Sequence, residues 1–211
     1  MPDRPRVAAI ITIYHPKSHA DAIVTKFMKG ASTDEGFFPP EVDLVSMYID
    51  HILENDIGVG LARAHGIPIY PSIRRALLAG GDKLDVDAVL LIGEHGDYPW
   101  NERGRHMYPR RYFFEQIAGV FSESSRSVPV FNDKHFAYDF RDAQWMWARA
   151  KELDIPLMAG SCLPIGWRNP WLEYEKDTNV EEALSIGYGG IEAYGYHTLE
   201  TLQCMIERRS V

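Results

Sequence analysis

Apolar runs of strand length alternate with helix-length segments from near residue 7 to about residue 160, and this alternation most constrains the fold. Residues 7–14 form an unbroken apolar run, the pattern of a strand covered on both faces. A first helix fits residues 19–29. Residues 30–40 are turn-rich and end in Pro39 and Pro40, which forbid a continuing helix. Residues 42–49 read as the second strand, followed by a helix through His65 that Gly66 stops. A short strand over 67–70 contains Pro68, an edge feature, and Ser72 caps a short helix over 72–79.

Residues 88–93 are the clearest buried strand. A helix over 108–123 places Phe113, Ile117, Val120 and Phe121 on one face. Another strand spans 128–131. Asp139 caps a helix whose Ala143, Met146, Trp147 and Ala150 share the same spacing, and a last strand spans 156–160. Such strand–helix units predict an α/β fold: a Rossmann-like parallel sheet flanked by helices, with right-handed crossovers.

After Cys162 the alternation breaks. Residues 163–179 are rich in Trp and Pro and read as irregular, 183–189 as one strand, and 196–208 as a closing helix. The expected organisation is a Rossmann-like domain over 1–165 and a short irregular C-terminal appendage over 166–211.

Composition narrows the function. Hydrophobic residues make up 45% of the chain, enough for a substantial core, and the net charge of -8 excludes a nucleic-acid footprint. No apolar run reaches the roughly 18 residues of a membrane span. The start, Met1-Pro2-Asp3-Arg4-Pro5-Arg6, lacks the apolar segment of a signal peptide. Cys162 and Cys204 are too few for a disulfide framework, and Cys162 reads as a buried thiol. A cytoplasmic protein with a small-molecule substrate, and neither membrane nor nucleic acid as partner, is expected.

In an open parallel sheet, ligands bind beyond the carboxyl ends of the strands. Those loops are unusually polar here. They carry His15, Lys17 and His19 after the first strand, Asp50 and His51 after the second, and Glu94-His95-Gly96-Asp97-Tyr98 after the third buried run. Asn132-Asp133-Lys134-His135 and Ser161-Cys162 follow the last two strands. Three chemistries are open at this point. A dinucleotide site wants glycines in the first turn, and Thr12-Ile13-Tyr14-His15-Pro16-Lys17 has none. A metal site would draw on His15, Glu94, His95, Asp133 and His135, as in a metal-dependent hydrolase, lyase or isomerase. An acid–base site would centre on Lys134 between Asp133 and His135. A non-catalytic binding protein that retains the fold is the remaining alternative.

Several motifs resemble the Gfo/Idh/MocA family (glucose-fructose oxidoreductase and inositol dehydrogenase). Residues 62–70 resemble the segment before its third strand, and Asp85-Val86-Asp87-Ala88-Val89-Leu90-Leu91 its D-V-D-A-V strand. Val130-Phe131-Asn132-Asp133-Lys134-His135 resembles the strand ending in its Glu-Lys-Pro motif. Residues 155–160 and Gly195-Tyr196-His197-Thr198-Leu199-Glu200 resemble its later strand and its Gly-x-His-x-x-Asp motif. The resemblance covers roughly residues 7–162 and the closing helix. It implies an NAD(P)-dependent oxidoreductase acting on a small polyol or sugar-like substrate. Catalytic roles would fall on Lys134, His197 and Asp133, and cofactor contacts on Thr12, His15, Asp50, Glu94 and His95, with Asp50 on the ribose. The chain departs from the family at the fingerprint glycines and at His135, which stands for the motif proline. Its appendage reads as a remnant of the substrate domain, and the apolar surface this leaves implies a homodimer or higher homo-oligomer.

Overall fold

The computed structural model describes residues 4–166 and 168–207, the Ile165 side chain excepted. Residues 1–3, Trp167 in the irregular stretch, and Arg208 at the end of the expected closing helix lie outside the described residues. The chain divides into two compact units, Met1–Pro99 with Met107–Ala159, and Trp100–His106 with Gly160–Val211.

The first unit is built on a five-stranded sheet. Its strands are β1 (Arg6–Ile11), β4 (Asp43–Ile49), β5 (Ala88–Ile92), β6 (Val130–Asp133) and β7 (Leu157–Gly160), in the order β4-β1-β5-β6-β7. β1 pairs in parallel with both β4 and β5, and β5 with β6. Ile69 makes one parallel bridge to Met47 on the outer side of β4. The expected 67–70 strand is reduced to that contact, because Pro68 has no N–H to extend a ladder.

β1 shows why an unbroken apolar run becomes a central strand. Successive side chains point to opposite faces. Ala8 and Ile10 enter one core with α3 (Ile73–Leu77), α4 (Arg110–Ser124) and α5 (Phe140–Glu152). Val7, Ala9 and Ile11 enter the other with α1 (His19–Lys29) and α2 (Gly58–Ala64). Both faces are covered from Val7 to Ile11, so no position there is left for a polar residue. The helix starts follow the sequence: Ser18, Ser72 and Asp139 each accept a hydrogen bond from the first turn they cap.

Other expectations change too. Residues 30–40 are not only turns: β2 (Ala31–Thr33) and β3 (Gly36–Phe38) form an antiparallel hairpin. Trp147 is about half exposed, although its spacing put it on the buried face. Trp145 packs against the core instead, and its ring carries the Arg111 guanidinium 3.5 Å from the centroid. Cys162 is exposed, because it lies in the turn beyond β7 rather than in the sheet.

In the second unit a short 3-10 turn (Leu163–Ile165) is followed by irregular chain, a π turn (Ile191–Gly195) and α6 (Tyr196–Ile206). The expected strand at 183–189 does not form: its Leu184, Ile186 and Tyr188 are strongly exposed and have no neighbouring strand to pair with among the described residues. Trp100 stacks on His106 within this unit, ring centroids 4.3 Å apart. Among the described residues no helix is long and apolar enough to cross a membrane.

The core makes a direct stability prediction. Phe114 on α4 is fully buried, and Phe114→Ala should cost about 3–5 kcal/mol through lost burial and the cavity left behind. A urea-denaturation midpoint measures it.

Candidate active site at the carboxyl ends of the strands

The chain runs outward from β1 to β4 and then returns to β5 on the other side of β1. The topological switch point, where an open α/β sheet leaves a crevice, therefore lies beyond the ends of β1 and β5. The loops after β1, β5 and β6 meet there.

Glu94, the second residue after β5, is buried between two cations. Its Oε1 accepts from the Lys134 ammonium at 3.0 Å, and its Oε2 pairs with the guanidinium of Arg110. Burial pushes the Glu94 carboxyl up, but Arg110 and Lys134 outweigh burial, so it stays below the ordinary glutamate range. Arg110 is fully buried at the start of α4. It runs so close to the β5 loop that a Cβ on Gly93 would lie 2.6 Å from its Cγ. Only glycine leaves room there.

A second cluster adjoins the first in sequence. His19 Nδ1 donates to Asp133 Oδ2 at 2.6 Å. The His95 ring lies 5.0 Å from that of His19 and 5.8 Å from that of His15. Burial and the neighbouring His19 push the His95 imidazole down, so it is neutral at neutral pH. Its Nε2 is buried with no hydrogen-bond partner among the described residues. Three side-chain-bearing residues in these loops have positive φ: Lys17 at 67°, His95 at 67° and Lys134 at 64°. Ala79, Ser125 and Asp154 also do, but they lie just past helix ends, where the left-handed conformation is usual. In these loops it costs about 1–3 kcal/mol each and has to be held by surrounding contacts.

The other residues singled out in the sequence fall as follows. Thr12 Oγ1 donates to the Glu94 carbonyl at 2.7 Å and so ties the β1 turn to the β5 loop. Asp50 accepts from the hydroxyls of Tyr48 and Tyr98 at 2.5 and 2.7 Å. The carbonyl of His135 accepts from the Asn132 amide at 3.0 Å. His197 belongs to the second unit, where its Nδ1 meets Ser161 Oγ at 2.5 Å and Glu200 accepts from the Ser161 N–H at 3.3 Å.

The metal set proposed from the sequence does not assemble. Among the described residues no three His, Cys, Asp or Glu side chains converge as a metal requires. The reason is visible for His15, Glu94, His95, Asp133 and His135 taken together. Glu94 is committed to two cations and Asp133 to His19, so the carboxylates that would anchor the ion are engaged.

No family model matches the chain, and no curated protein does. Solved structures overlap part of it, among them the following three. UDP-N-acetylglucosamine 3-dehydrogenase GnnA from Acidithiobacillus ferrooxidans is 14% identical with a TM-score of 0.47, over 76% of this chain and 39% of that one. GenD2 from gentamicin A biosynthesis, in complex with NAD, is 19% identical with a TM-score of 0.46, over 76% of this chain and 35% of that one. Myo-inositol 2-dehydrogenase from Lactobacillus plantarum is 13% identical with a TM-score of 0.48, over 75% and 36%. The chain thus spans well under half the length of each.

The Glu94 pair sets a pH-dependent stability. Its depressed pKa means the contribution is complete above the ordinary glutamate pKa and is lost as pH falls through the folded value. Glu94→Gln should cost about 3–5 kcal/mol at neutral pH, since Arg110 and Lys134 keep their charge without the carboxylate. The deficit relative to wild type should shrink as pH falls below the glutamate range, as melting temperatures across that range would show.

Proposed function

We propose that the first unit carries an oxidoreductase-like acid–base site, acting on a small polyol or sugar-like substrate at the ends of β1, β5 and β6. The observation that carries this reading is the His19–Asp133 hydrogen bond of 2.6 Å, placed at a sheet switch point. A carboxylate on Nδ1 fixes the imidazole tautomer and orientation, leaving Nε2 to take a proton and return it. The Lys134 ammonium, fixed by Glu94, supplies positive charge for an oxygen that becomes negative as a neighbouring C–H or O–H proton leaves. Neutral His95 adds a polarisable neighbour in place of a competing charge.

The residues in place perform proton transfer: removal of a proton next to a carbonyl, or from a hydroxyl. The substrate class follows from the Gfo/Idh/MocA resemblance at Asp133 and Lys134. Hydride transfer to NAD(P) would make the same site a dehydrogenase, the version that the Gfo/Idh/MocA resemblance implies.

The test is exchange of carbon-bound hydrogen with heavy water across a set of ketoses, aldoses and their acids, followed by proton NMR. Wild type should catalyse exchange on at least one substrate, and His19→Ala and Asp133→Asn should slow it by roughly 10²–10⁴-fold. Exchange that survives both substitutions removes the dyad from the chemistry. NAD(P)-dependent oxidation of the same substrates, without exchange, replaces the proton-transfer reading with the dehydrogenase one.

A further inference from the structure

We infer that the switch-point crevice is closed to dinucleotides, and that Tyr98, latched onto Asp50, is the side chain that closes it. The inference stands apart from the acid–base reading, because it concerns the β4 side of the crevice rather than the histidine cluster.

Three observations carry it. First, the acid at the end of β4 has both carboxylate oxygens engaged. Oδ1 accepts from Tyr48 and Oδ2 from Tyr98, with His51 Nε2 3.6 Å from Oδ2. A ribose diol would have to take those same oxygens. Burial first, and the hydrogen bond to Asp50 second, push the Tyr98 phenol well up, so it stays a donor throughout the neutral range.

Second, Tyr98 belongs to the β5 loop whereas Asp50 follows β4, and β1 lies between those strands. The Tyr98–Asp50 bond therefore reaches across the end of β1, where a pyrophosphate would lie. The loop is seated there by packing. Gly96, at φ +119°, lies where a Cβ would be 2.5 Å from the Tyr98 ring and 3.5 Å from Ile13. Tyr98 stacks on His51 with centroids 4.9 Å apart and meets Tyr108 edge-on at 5.9 Å.

Third, the turn before α1 turns three of its N–H donors inward. The N–H of Lys17 goes to the Asp21 carboxylate at 2.8 Å, that of Ser18 to the His15 carbonyl at 3.0 Å, and that of Asp21 to Ser18 Oγ at 3.2 Å. Pro16 has no N–H to offer. An anion at this helix start would meet the Asp21 carboxylate where an open cradle offers free N–H groups. The residues present do not fit the dinucleotide that this fold class holds at its switch point.

The experiment titrates the full chain with NADH and with NADPH, reading energy transfer from tryptophan to the nicotinamide and the shift in melting temperature. No saturable signal up to millimolar nucleotide is expected. Saturable binding of either at micromolar concentration overturns the closure. Tyr98→Phe then reads the latch itself. Losing a hydrogen bond to a carboxylate should speed amide exchange in the Glu94–Tyr98 loop by roughly ten-fold, and unchanged protection would show that the Asp50 bond does not hold the loop. Loss of proton-exchange activity in His19→Ala reports separately on the acid–base dyad.

Discussion

A buried carboxylate held between two cations organises the carboxyl end of this sheet. Glu94 brings together the β5 loop that carries it, the β6 loop that carries Lys134, and the first residue of α4, Arg110. Each of the three charges would be expensive to bury alone, and each makes the others tolerable. Of the two left-handed residues beside it, His95 and Lys134, the second is tied to Glu94 through its own ammonium. The histidine cluster owes its geometry to this arrangement, since His95 adjoins Glu94 and Asp133 adjoins Lys134 in the chain.

The main features of the fold were legible because the two signals involved are local. An apolar run such as 7–14 specifies a doubly covered strand, and Ser18, Ser72 and Asp139 announce helix starts by their own hydrogen bonds. The misreadings come where tertiary contact overrides local pattern. Trp147 and Trp145 are both plausible core residues by composition, and the Arg111 guanidinium lying on Trp145 accompanies the packing of that ring in place of the other. The hairpin at 31–38 was hidden because its residues are mostly exposed and carry no alternation.

The site was legible only in part. The position of Asp133, Lys134, Glu94 and His95 after strands marked them as candidates. Arg110 gave no sign, since an arginine at a helix start resembles a solvated one until burial is known. His19 was visible as a loop residue, but its partner lies 114 positions away, a separation that no local pattern spans. Tyr48 gave no sign, and Tyr98 was visible only as a loop residue, for the same reason: what matters about them is the Asp50 carboxylate they share.

β1 divides its side chains between two cores, with small residues, Ala8 and Ala9, one on each side. It also has a hydrogen-bonded neighbour along both edges. A one-residue insertion within it would send every following side chain to the opposite layer and break two ladders at once. The peripheral hairpin carries no such obligation. Tolerance to changes in chain length should therefore fall sharply from the rim of the sheet to its middle strand, and the loop that begins at Thr12 has its starting point fixed by the least adjustable segment of the molecule.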